Sequence, residues 1–284
     1  MATILNILGA MSGTAVAATI GKGIVRPEGI NLVTVAAAMV GIVFWSTLAW
    51  RYGLPTSESH ALMSGLAGAG LATAGSGVLI WDGWQKVLIG LTFSTFLGFG
   101  AAFLLIVAIY WGFRRSRPST VRRVFGRLQV LSAAFMAFGH GSNDGQKFIG
   151  MFALALFLGG VTPEFRVTWD VILICSLVMG LGTSVGGWRI IKTMGMRMVK
   201  LEAYQGFAAE TAAAGCIELA SRMGIPLSTT HTINTSIMGV GAARRVSAVR
   251  WGVVGEVVAA WILTFPVCAA IGWFVATALQ RALK

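Results

Sequence analysis

The sequence predicts an all-α, polytopic membrane protein made of two inverted-topology repeats, each carrying a broken, re-entrant helical hairpin. Three observations lead there. The 284 residues are 56% hydrophobic and only 11% charged, whereas a soluble domain carries about a quarter charged residues. A core of this size cannot hide so much apolar surface, so the solvent must be lipid. A pattern also recurs 171 positions apart: Arg51, Gly53, Pro55, Ser57 and His60 match Arg222, Gly224, Pro226, Ser228 and His231. Gly68 and Gly70 then answer Gly239 and Gly241, and Gly13-Thr14 answers Gly182-Thr183 at a spacing of 169. Finally, lysine and arginine gather in three short segments, which fixes the face on which each hairpin starts.

Apolar stretches run at about 3–21, 30–50, 61–80, 87–112, 128–158, 168–188, 203–221, 232–243 and 251–278. The length allows roughly eight to ten membrane segments at about 20 residues each. No secretory cleavage signal precedes the first run, so 3–21 is expected to remain as a helix. The 37 glycines suit closely packed membrane helices. Cys175, Cys216 and Cys268 are far apart in apolar runs and show no metal-ligand spacing. The net charge of +12 is the mark of cytoplasmic loops in a membrane protein rather than of nucleic-acid binding.

Orientation follows from one segment. Residues 114–127 hold six arginines and no acid and form a basic cytoplasmic loop. It divides an N-terminal transmembrane repeat, 1–113, from a C-terminal one, 128–284. Segment 128–158 then leaves the cytoplasm and 168–188 returns. Arg189, Lys192, Arg197 and Lys200 lie inside, as do Arg244, Arg245 and Arg250. Residues 203–243 must therefore leave and return to one face, with Pro226 at the tip. In the first half the opposite holds: 30–80 enters from outside, with Pro55 at its tip. Two hairpins entering from opposite faces are a transporter architecture, with the site where the tips meet.

Each tip proline favours the first turn of a helix. Thr56, Ser57, Glu58, Ser59 and His60 follow Pro55, and Leu227, Ser228, Thr229, Thr230 and His231 follow Pro226. A helix start has amide hydrogens without internal partners and a partial positive charge. Two such starts at mid-membrane suit a tetrahedral oxyanion. Hydroxyls add donors without fixed charge, so the anion can leave. The bland alternative is that the hydroxyls only cap helices and that His60 and His231 only pack. A second group, Gly139-His140-Gly141-Ser142-Asn143-Asp144-Gly145-Gln146-Lys147, lies within 128–158. Charged groups at that depth face a partner or a cavity. The three glycines would let the backbone unwind. Asn143 and Asp144 then offer oxygens to a coupling cation, or Asp144 carries a proton. Lys147 either pairs with Asp144 or meets the anion. Glu210 is a further acid in an apolar run, placed in the cation path.

At these residues the chain resembles the inorganic phosphate transporter family, the phosphate permeases coupled to protons or sodium. The similar stretches are Gly139 to Gly150, Lys200 to Thr211, Pro226 to Thr232, Ala248 to Gly252 and Pro55 to Leu62. The resemblance spans nearly the whole chain. It implies a multi-pass protein of the cytoplasmic membrane, not an enzyme, that symports phosphate. Ser57, Ser59, Ser228, Thr229 and Thr230 would stand near the anion, and Asn143 and Asp144 near the coupling ion; the reading of the residues themselves adds His60, His231 and Lys147 to the anion side and Glu210 to the cation path. No cofactor or resident metal is implied; a divalent metal could travel with phosphate, and a homodimer would suit the architecture. Three departures stand out. Glu58 puts a carboxylate beside the anion unless it is protonated, paired with Arg51 or turned away. Thr95 replaces a common proline, so its helix should run straighter. Superposing the repeats places the start of the first about 40 residues before Met1, so its counterpart of Asn143-Asp144 is expected to be missing. The other readings are transport of an oxyanion such as sulfate, or an inactive truncated membrane remnant or subunit.

Overall fold

The computed structural model describes residues 1–283. In chain order its helices are α1 (Ala2–Ala10), α2 (Ala15–Gly23), α3 (Leu32–Tyr52), α4 (Glu58–Ala74), α5 (Trp81–Thr92), α6 (Gly98–Phe113), α7 (Pro118–His140), α8 (Gln146–Leu158), α9 (Trp169–Val185), α10 (Trp188–Lys192), α11 (Ala203–Arg222), α12 (Thr229–Arg244) and α13 (Trp251–Ala282). Single π turns at Phe93–Leu97, Gly141–Gly145 and Thr193–Met198 join α5 to α6, join α7 to α8 and extend α10.

The duplication reaches deeper than the shared residues. α3 starts on a reciprocal cap in which Asn31 and Thr34 each bond the other's backbone amide. α11 starts 171 residues on with the same device made from Glu202 and Gln205. Both helices end at a left-handed glycine, Gly53 at φ +69° and Gly224 at φ +65°, the conformation that glycine adopts without strain. The amides of Leu54 and Ile225 then fold back onto Ala49 O and Ala220 O, each at 2.9 Å. Pro55 and Pro226 lie two residues before the caps of α4 and α12, which are Ser57 and Ser228. The prolines therefore shape the turn rather than occupy the first helical turn.

Each hairpin is held by the other half. Thr193 Oγ1 donates to Gly53 O and Thr19 Oγ1 to Gly224 O, both at 2.8 Å. α4 packs on α13, and α12 packs on α6. The crossings are tight at equivalent glycines: a Cβ on Gly68 would strike the Ala269 carbonyl, and one on Gly239 the Phe99 carbonyl. Gly68→Ala and Gly239→Ala are each expected to cost about 1–3 kcal/mol, read as a lower melting temperature in detergent. Gly100→Ala, where a Cβ meets nothing within 4 Å, should be neutral or slightly stabilising.

One buried cluster joins Ile20, Leu62, Met63 and Leu66 to Leu154 and Cys268. A second joins Ile106, Phe125, Met198, Ala209 and Val240 to Trp261. Large apolar side chains face outward instead, among them Phe96, Leu104, Leu181 and Phe274, as lipid contact requires. Leu32–Tyr52, Trp81–Phe113 and Trp251–Ala282 are long and apolar enough to cross a membrane. Two bent pairs, α1 with α2 at 63° and α9 with Trp188–Met198 at 60°, each suffice only together.

Three expectations need correction. The run 3–21 is not one helix: it breaks at Ser12-Gly13-Thr14, where Ser12 Oγ turns back onto Gly9 O. Most of the arginine-rich segment is not loop, because α7 begins at Pro118 and carries Arg122, Arg123 and Arg127 on its first turns. The glycines around Asn143 do not unwind the chain; they widen it into one π turn between α7 and α8. The helix at Thr95 runs unbroken from Trp81 to Phe113, in keeping with the absence of a proline, and carries one π turn. Thr95 and Ser94 hydroxyls both bond Leu91 O, and Ser94 O and Gly98 O accept from Thr235 and Ser236 of α12.

Candidate functional site

The two hairpin tips touch. Ser59 Oγ donates to Leu227 O at 3.0 Å, and the His60 and His231 rings meet edge to face with centroids 4.6 Å apart. Each tip is a capped helix start. Ser57 Oγ accepts the amide of His60 at 3.3 Å, and Ser228 Oγ accepts that of His231 at 3.1 Å. Their oxygens are thus engaged, while their hydroxyl hydrogens remain free to donate.

The π turn aims the polar residues of the α7–α8 helix at these tips. Lys147, 1% exposed, donates to Asp144 Oδ1 at 2.5 Å, to Leu227 O at 2.7 Å and to Ser59 Oγ. Asp144 Oδ2 accepts from Thr229 Oγ1 at 2.5 Å and lies 3.1 Å from His140 Nε2. One carboxylate and one ammonium thereby tie α7, α8, α12 and the first tip into a single cluster. A π turn frees backbone carbonyls and redirects side chains, and such turns concentrate at functional sites. α1 supports it closely: a Cβ on Gly141 would strike the Asn6 carbonyl, and Asn6 Oδ1 lies 2.7 Å from His140 Nδ1.

Asn143 is fully buried beside this cluster. Its Nδ2 donates to Ser221 Oγ at 2.9 Å and Ile225 O at 3.3 Å, while Oδ1 has no partner among the described residues. Ser221 lines a cavity of about 350 Å³ with Ser12, Ser142, Gln146, Glu218 and Arg222. Glu218 accepts from Ser142 Oγ at 2.9 Å and pairs with Arg222 at 2.9 Å.

The sequence-predicted residues do not all meet. Ser59, Thr229, Asp144 and Lys147 are bonded together, with Ser57 and Ser228 as the flanking caps. Thr230, the counterpart of Ser59, sits half-buried on the second tip. His60 and His231 lie behind the tips in an aromatic stack: His231 packs on Trp261 at 3.7 Å and His60 on Phe265 at 4.5 Å. Trp261 in turn donates to Pro55 O at 2.9 Å. Glu210 does not join. It accepts from Ser132 Oγ at 2.5 Å, and Ser132 precedes Asp144 by 12 positions on the same helix, roughly 18 Å along its axis. Glu58 is turned away from the tip, with its carboxylate on Ser46 Oγ at 2.6 Å. Asn6, Trp261 and Ser221 were not singled out from sequence; Gln146, named in the second group without a role, accepts the Val16 amide on its Oε1 at 3.0 Å. Asn6 carried a signal, as a lone amide in an apolar run. Trp261 carried none, since tryptophan is ordinary in a membrane helix.

Comparison with known proteins identifies the family. The phosphate transporter family model matches residues 1–272. A protein of Rhizobium meliloti named as a probable low-affinity inorganic phosphate transporter is 45% identical over 260 residues, 91% of this chain and 78% of its own length. One of Bacillus subtilis with the same name is 37% identical, over 96% of this chain and 83% of its own. Among solved structures, a protein described as the sodium-dependent phosphate transporter shares the fold with a TM-score of 0.91 at 24% identity, covering 99% of this chain and 88% of that one. The chain therefore belongs to the phosphate transporter family: it is a multi-pass protein of the cytoplasmic membrane, and a transporter rather than an enzyme.

Proposed function

We propose that the chain carries inorganic phosphate across the cytoplasmic membrane by symport with a cation, a proton or sodium, and that its two halves are related by inversion across the membrane plane. The observation that supports this best is the meeting of two capped, hydroxyl-rich helix starts at Ser59 and Leu227, with a buried Asp144–Lys147 pair beside them. Helix starts recognise an oxyanion through unpaired amide hydrogens, and seryl and threonyl hydroxyls add neutral donors. Asp144 and the unpartnered Asn143 Oδ1 are the groups that would meet the driving cation. The relatives named for phosphate transport favour phosphate over sulfate as the cargo.

The test is uptake of labelled phosphate by proteoliposomes containing the full chain. Uptake should rise at least tenfold under an imposed inward cation gradient and resist a hundredfold excess of sulfate. Absence of gradient-stimulated uptake by correctly inserted protein would overturn the symport reading; competition by sulfate at equal concentration would shift the cargo to oxyanions in general.

A further inference from the structure

Lys147 has no proton left for an anion. An ammonium has three donors and no acceptor, and all three are matched to protein oxygens: the Asp144 carboxylate, the Leu227 carbonyl and the Ser59 hydroxyl. Carboxylate, carbonyl and hydroxyl oxygens converging on one buried positive charge are also the ligand set that hard cations take from proteins. Thr229 completes the ring by donating to the other oxygen of Asp144 at 2.5 Å. The charge is held by one side chain, one turn of helix from its own counter-ion.

We propose that the Lys147 ammonium is a tethered cation, standing permanently between the hairpin tips where a mobile metal cation would otherwise be bound. This rests on the symport reading and narrows it. The oxygens of Asp144, Leu227 and Ser59 are satisfied without sodium, so sodium does not drive this chain through them. Lys147 neutralises Asp144 next to the anion site and links the tips, which lets phosphate approach a carboxylate at no electrostatic penalty.

The experiment compares wild type with Lys147→Ala and Lys147→Met in sodium and in potassium media at one pH. Wild-type phosphate uptake should be equal in the two media, and its melting temperature should not change when sodium replaces potassium. Lys147→Ala should lose at least tenfold of its uptake in potassium and regain most of it in sodium. Its melting temperature should rise with sodium concentration, because a cation that binds only the folded state stabilises it. Sodium stimulation of wild-type uptake would overturn the proposal, and so would a folded Lys147→Ala that binds phosphate yet ignores sodium. Should neither variant fold, the wild-type comparison decides alone. If wild type moves no phosphate in either medium, the symport reading fails, while the sodium-dependent melting of Lys147→Ala still judges the tethered cation.

Discussion

Asp144→Asn is expected to abolish gradient-driven phosphate uptake and to destabilise the fold by about 3–5 kcal/mol, the usual cost of removing one partner of a buried ion pair. The cause is local. Asp144 is the carboxylate on Lys147, and it also accepts from Thr229 of the second tip. Asparagine fills the same space but leaves a buried ammonium facing an amide. The loss of stability should therefore be reversible without restoring transport. In Asp144→Asn combined with Lys147→Met, both charges are gone, so the melting temperature should recover most of its fall while uptake stays absent. Thermal unfolding in detergent and proteoliposome uptake read the two effects separately. Unchanged gradient-driven uptake by Asp144→Asn would remove Asp144 from the coupling machinery.

The next largest effect is expected at Ser59. Its hydroxyl accepts from Lys147 and donates to Leu227 O, so it joins the two halves at the point where the anion would sit. Ser59→Ala should raise the KM for phosphate by about tenfold, equivalent to about 1.4 kcal/mol, with a smaller fall in maximal rate. Its counterpart Thr230 offers a contrast, because it is half-buried at the equivalent position of the second tip. Thr230→Val should raise KM in the same direction with little change in melting temperature. Equal loss of stability in the two variants would argue that both hydroxyls only build the fold.

Much of this was legible in the sequence because the chain says it twice. The spacing between Pro55 and Pro226 located both hairpins, and their tips do meet. The same repetition paired Gly53 with Gly224, and the structure adds that both are left-handed. What was hidden depends on physics that identical letters do not record. The caps of α3 and α11 occupy equivalent positions, but one uses Asn31 with Thr34 and the other Glu202 with Gln205. Hydrogen-bonding geometry was kept while the residue types changed. The π turn at Gly141–Gly145 was read as unwinding because glycine permits either, and only packing against α1 decides between them. Glu210 carried only the signal of an acid in an apolar run; that it faces Ser132 is set by the packing of α11 on α7. Lys147 was left between two roles until its three acceptors were known.

Phosphate is expected to bind at the hairpin tips. The measurement that tests this most directly is calorimetric titration of inorganic phosphate into the purified chain, run beside Thr230→Val. Wild type should bind phosphate with sulfate unable to displace it at equal concentration, and Thr230→Val should bind at least tenfold more weakly at an unchanged melting temperature. Phosphate bound equally well by both proteins, or by neither, would contradict the assignment of the tips as the substrate site.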